Sequence, residues 1–207
     1  GSNIELGAVA MTVLRGLVGF TFFHLAFWLR SQDQGTLWFA AVVGVSALAA
    51  MVGNAAAAQV RRRVREETML TISLLVCAAA GLTVSVLGGP VGAVLLAGVL
   101  NFMAALGRLS FESIVQRDAP GANRGRAFAV FETRFQLAWA IGAFVAVAIQ
   151  VSGTIGFVIV GATAAGASFY LWARRRDLAA GVSRRSRARA RGRAPRSRSG
   201  SASPRDR

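Results

Sequence analysis

Lysine is absent from this 207-residue chain, and all 24 basic side chains are arginine. Codon bias in a GC-rich genome accounts for that, so it carries no functional message. There is one cysteine, Cys77, and it lies inside an apolar run, which excludes an intramolecular disulfide. There is one histidine, His24, so a site built from several His and Cys ligands is excluded and no metal or other cofactor is expected. No GxxxxGK[ST] phosphate loop occurs, so the chain has no nucleotide-hydrolysing motor of its own. Gly-x-Ser-x-Gly is missing too, and no aspartate falls inside an apolar run, which removes the serine nucleophile elbow and the intramembrane aspartate dyad. Catalysis is therefore not expected. Short segments of strict apolar–polar alternation are also lacking, which argues against a membrane β-barrel.

What the chain does have is hydrophobic length. It is 54% hydrophobic with a mean hydropathy of +0.50, arranged in runs of about twenty residues, enough to cross roughly 30 Å of hydrocarbon. The fold class that follows is an all-α membrane protein with six transmembrane helices. The spans are read at about residues 4–29, 36–60, 68–87, 91–115, 127–150 and 154–173. Arg30 to Gly35 turns the chain after the first, Gly88-Gly89-Pro90 breaks it after the third, and Val151-Ser152-Gly153 turns it after the fifth. Gly1 is not a start methionine and Met11 lies inside the first span, so the chain is expected to be a fragment.

The net charge of +15 is unevenly placed. Residues 174–207 hold 13 arginines against Asp177 and Asp206, with almost no large apolar side chain after Val182. Such a composition buries too little to offset its ordering entropy, so residues 175–207 are expected to form a disordered basic tail beside a membrane domain at 1–174. The tail's nearest partner is anionic lipid, at about 1 kcal/mol per basic residue near the surface, ahead of nucleic acid. The connectors after the second and fourth spans carry the remaining arginine clusters, whereas the other three hold only Arg30, balanced by Asp33. The Arg-rich side, with both chain ends, is therefore expected to face the cytoplasm of a plasma-membrane protein.

Two stretches carry a family resemblance. Gly53 to Glu67 (GNAAAAQVRRRVREE) places a glycine ahead of the cluster Arg61, Arg62 and Arg63. Gln116 to Glu132 places Pro120, a short spacer, Arg124-Gly125-Arg126 and the aromatic Phe128. With six spans in this orientation, the chain resembles the C-terminal half of a major facilitator superfamily transporter over residues 4–174. The acidic residue common in the N-terminal copy of the first motif has no counterpart here. The resemblance implies a half bundle of two inverted three-helix repeats, with spans one to three equivalent to four to six. It implies alternating access to a small-molecule substrate, in an exporter or antiporter of drugs or metabolites driven by protons. It also implies a partner, the missing N-terminal six-helix half, in the same polypeptide or supplied by a second copy. The other reading is a membrane scaffold that does not transport, or a half-size protein that dimerises, with a basic tail that binds lipid or a partner.

Polar residues inside the spans are expensive and so mark candidate sites. The third and sixth spans contain no charge; the first, fourth and fifth do. Arg15, His24, Asn101 and Gln136 are the candidates for a substrate cavity. Against that, Arg15 is able to snorkel towards headgroups, though its reach is about 16 Å along the helix. His24 suits an interfacial position, and Asn101 a bond between helices. Arg61, Arg62, Arg63, Arg108, Glu112, Arg124, Arg126, Glu132 and Arg134 are the candidates for a cytoplasmic gate. Arg108 and Glu112 are spaced to pair along one helix face, as are Glu132 and Gln136, whereas Arg134 points elsewhere. A network of Arg108, Glu112, Arg126, Glu132 and Arg134 is expected, with Glu132 the best acidic candidate for coupling. The substrate pocket is expected to lie deeper, near Asn101 and Arg15.

Overall fold

The computed structural model describes the backbone of residues 2–118 and 124–192, and the side chains of 3–118, 125, 126 and 128–178. Six helices follow one another: α1 (Ser2–Leu29), α2 (Gly35–Arg61), α3 (Glu66–Leu87), α4 (Gly89–Asp118), α5 (Arg124–Ile149) and α6 (Gly153–Gly192). Each is long and apolar enough to cross a membrane, and the described residues contain no strand. This is a multi-pass all-helical membrane fold, as expected.

The connectors are short because backbone polar groups have no partner in lipid outside a helix. Gly88, with φ of 66°, is the sole residue between α3 and α4, and Gly89 opens α4 at φ 78°. Both positions need the left-handed region that glycine enters without penalty. Gln34, with φ of 57°, and Gln150, with φ of 33°, turn the chain before α2 and after α5. Helix α4 runs to Asp118 rather than ending near Val115, and α5 begins at Arg124, so the loop expected from Gln116 to Arg126 shrinks. The Ala119-Pro120-Gly121 turn lies outside the described residues.

The tail departs further from expectation. The described residues up to Trp172 form one compact unit and those from Ala173 another, and α6 stays helical as far as Gly192. The first half of the segment expected to be disordered is thus helix. Alanine and arginine are strong helix formers, and extending an existing helix avoids the unfavourable nucleation step. An argument from burial alone misses both terms. Residues 193–207 lie outside the described residues.

Within the bundle, α1 packs chiefly on α5, and α2 on α4; α3 lies on α4, and α6 meets α1 through Gly156 at His24. These contacts repeat under exchange of α1–α3 with α4–α6, which is the pairing two inverted three-helix repeats demand. The axis passes between α1 and α4, and between α3 and α6, where Gly81 lies so close to Gly161 that a Cβ would come within 2.7 Å of its backbone nitrogen. Accordingly α1 and α4 are the most buried helices, while only 6% of the α2 span and 17% of the α5 span are buried.

Small residues permit this packing, since without a hydrophobic drive between helices close backbone approach supplies the attraction. Gly16 and Gly142 touch through the Gly16 carbonyl, and Gly19 lies on the Trp139 carbonyl, locking α1 to α5. Gly53 does the same for α2 and α4, with its missing Cβ only 2.7 Å from the Phe102 carbonyl. The glycine of the first motif is therefore a helix-packing residue rather than part of a loop. The main core joins Leu14, Leu25, Leu70, Leu96, Phe111 and Phe157.

Candidate functional site

Helix α1 lies between α5 and α4, and this sets which charges meet. Along their helices, Arg15, Arg108 and Glu132 are about 20, 15 and 12 Å from the same end of the bundle. Glu132 stands at the centre. Its Oε1 lies 3.7 Å from Arg15 Nη2, and its Oε2 lies 3.9 Å from Arg108 Nη2. The Gln136 amide donates to Glu132 Oε1 at 2.9 Å, one turn along α5. Arg108 Nε donates to Glu112 Oε1 at 3.0 Å, one turn along α4. Two i,i+4 pairs on neighbouring helices and one arginine on α1 thus form a single constellation.

Arg15, Arg108 and Glu112 of this constellation border a half-open cleft of about 400 Å³, with Glu132 behind the two arginines. Arg15, Asn54, Asn101, Arg108 and Glu112 supply its polar lining, with Val18 and Leu109 among the apolar side chains. The Asn101 amide turns back to donate to the Ala97 carbonyl at 2.9 Å, which leaves its oxygen without a partner among the described residues. Arg15 is the most enclosed of the charges, its side chain 22% exposed, and its Nε is buried without an acceptor.

The structure redistributes the residues singled out from the sequence. Arg15 and Asn101 share the cleft with Arg108 and Glu112, so the expected depth separation between a substrate cavity and a gate is not seen. Repeat packing brings α1 and α4 together at the axis and superimposes the two sets. Gln136 is exposed and acts through Glu132 rather than lining the cleft. His24 is elsewhere. It is buried, stacked on Phe20 and edge-on to Phe157, and borders a second cavity of about 380 Å³ near Gln150 and Ser152. It is a packing residue of the α1–α6 contact, and it does not share the cleft with Arg15 and Asn101.

Among the described residues, Arg126 and Arg134 are exposed and make no ion pair, so the expected network loses both and gains Arg15. Arg61, Arg62 and Arg63 are exposed at the end of α2, likewise without an ion pair among the described residues. Arg124 opens α5, and its side chain lies outside the described residues.

Two features escaped the sequence reading. Asn54 is one: α2 presents it to the cleft that Asn101 also lines. Arg117 is the other: it falls beyond the expected end of the fourth span, yet it lies in the last turn of α4 as a clamp on α3. It reaches Glu67 at 2.6 Å and Glu66 at 3.3 Å, and pairs with Asp118 at 2.8 Å, while Ser113 donates to Glu66 at 3.2 Å. Opposite charges at the same end of two consecutive antiparallel helices were the available signal.

A family profile described as Major Facilitator Superfamily matches residues 4–143. An uncharacterized protein of Mycobacterium leprae (strain TN) is 27% identical over 169 residues, a match that covers 78% of this chain and 28% of that relative. The chain thus spans little more than a quarter of that relative's length. No solved structure matches it significantly.

Proposed function

Since this chain belongs to the Major Facilitator Superfamily, we propose that it is the C-terminal six-helix half of a secondary active transporter. It exports a small molecule by alternating access, in exchange for protons, across the plasma membrane. The observation that carries this reading is the polar constellation inside the apolar bundle. A group such as Arg15 is expensive at that depth and is retained where it meets a partner or an aqueous path. Here α1, α2, α4 and α5 each contribute to one such place.

The remaining parts fit around that site. The exposed faces of α2 and α5 face the complementary six-helix half, on the same polypeptide or on a second copy. The Arg-rich end of the bundle faces the cytoplasm, following the positive-inside rule, and the basic residues beyond Ala173 lie against anionic lipid. Glu132 is the coupling group. It holds two arginines through contacts longer than a hydrogen bond, so its charge sets whether α1, α4 and α5 are drawn together. Replacing Glu132→Gln in the full-length protein removes the charge and keeps the shape. Transport is expected to fall by tenfold or more at unchanged expression, about 1.4 kcal/mol or more; undiminished transport would overturn Glu132 as the coupling group.

A further inference from the structure

Resting on that transport reading and narrowing it, we propose that the cleft binds an organic anion, seated on the guanidinium groups of Arg15 and Arg108. The argument is one of unused hydrogen-bonding capacity. An arginine side chain presents five N–H donors and no acceptor. Arg15 uses none of them on a hydrogen bond among the described residues. Its Nε is buried without an acceptor, and its Nη2 stands 3.7 Å from Glu132, beyond hydrogen-bond distance. Arg108 spends only Nε, on Glu112, and its Nη2 stands 3.9 Å from Glu132.

The carboxylates are better served. Glu112 holds the Arg108 Nε–H, and Glu132 holds the Gln136 amide. What the two arginines lack is therefore an acceptor within hydrogen-bond distance. The guanidinium N–H groups that stand beyond hydrogen-bond distance of Glu132 are free to bond a ligand oxygen, and one with negative charge suits them best. The planar fork of arginine matches the two oxygens of a carboxylate or phosphate. A cation entering the same space would meet two arginines and compete for carboxylates that already have partners.

The rest of the lining sets the body of the ligand. Val18 and Leu109 offer apolar contact, and Asn54 and the free Asn101 oxygen add polar groups to the same lining. A volume of about 400 Å³ suits a small aromatic or aliphatic acid. Glu132 is then the resident competitor for the arginines, and removing its charge strengthens binding of an external anion.

Isothermal titration calorimetry on the full-length protein in nanodiscs tests this with four aryl probes that differ in their headgroup: benzoate, phenyl phosphate, benzamide and benzylammonium. The two anions are expected to bind, and the neutral and cationic probes at least about tenfold more weakly. Arg15→Gln should weaken the anions by about tenfold and Glu132→Gln should tighten them several-fold, while Arg134→Gln leaves them unchanged. The gain in Glu132→Gln cannot come from misfolding, and Arg15→Lys, which keeps the charge but loses the fork, should fall between wild type and Arg15→Gln. No binding of either anion, no preference for anions, or affinities indifferent to Arg15 and Glu132 would overturn the proposal. Transport is measured separately. Anion binding in this order without transport sinks the transporter reading alone, whereas transport of a cation with the reverse order of probes sinks the anion alone.

Discussion

Replacing Gly142 with alanine sets two physical terms against each other, and the structure decides which wins. Alanine is the better helix former by about 1 kcal/mol, so propensity alone predicts a more stable protein. At Gly142, however, an added Cβ falls on the carbonyl of Gly16, and both collision partners are backbone. Neither can rotate away, so α1 and α5 must separate. Overpacking of this kind costs about 1–3 kcal/mol, which leaves a net loss of roughly 1 kcal/mol, and about 2 kcal/mol at most, after the propensity gain. For a chain of this size that is a fall in melting temperature of about 4 °C.

Gly44 and Gly166 provide the internal control. Each has open space where the Cβ would go, so Gly44→Ala and Gly166→Ala should match or exceed wild type. The assay is thermal unfolding of the purified protein in one detergent, following tryptophan fluorescence. The prediction is a difference in sign between Gly142→Ala and the two controls. If Gly142→Ala melts with or above Gly44→Ala, the tight α1–α5 contact is wrong, and so is the route by which Arg15 meets Glu132.

Two further outcomes follow from the packing and the charges. Arg117→Ala unlatches α4 from Glu66 and Glu67 on α3; unfolding at low salt should show a loss of about 1 kcal/mol that shrinks at high salt, and no change at low salt would refute the clamp. Gly156→Ala should destabilise, because the added Cβ falls on the His24 imidazole, and His24→Ala should destabilise by leaving a cavity. The double variant should be more stable than the sum of the two by about 1 kcal/mol, and simple additivity would contradict the contact.

Hydrophobic run length made the six helices legible, because the thickness of the hydrocarbon layer imposes the same length on each of them. Local charge spacing was legible too: Arg108 with Glu112 pair as the i,i+4 rule requires. What was not legible depends on which helix faces which. Arg15 and Glu132 meet because Gly16, Gly19 and Gly142 let α1 and α5 touch, and no local pattern in sequence announces that partnership. The same holds for Asn54, an isolated amide in an alanine-rich span until α2 docks on α4. Arg117 was misplaced because α4 runs on to Asp118. The helical stretch after Ala173 was missed because composition measures burial and ignores the helix that precedes it.

The central claim is that the cleft around Asn101 opens to each side of the membrane in turn. Cys77 is the single cysteine of this chain and is buried, so Cys77→Ala, with any cysteine elsewhere in the full-length protein also replaced, gives a background for one introduced thiol. Asn101→Cys in the full-length protein, reconstituted in sealed vesicles, is then exposed to a membrane-impermeant thiol reagent from one side and, in a separate sample, from the other. Leu75→Cys on the exposed face of α3 serves as the lipid-facing control. Alternating access predicts that Asn101→Cys is labelled from both sides while Leu75→Cys is labelled from neither. Labelling of Asn101→Cys from one side only, or from neither, would contradict it.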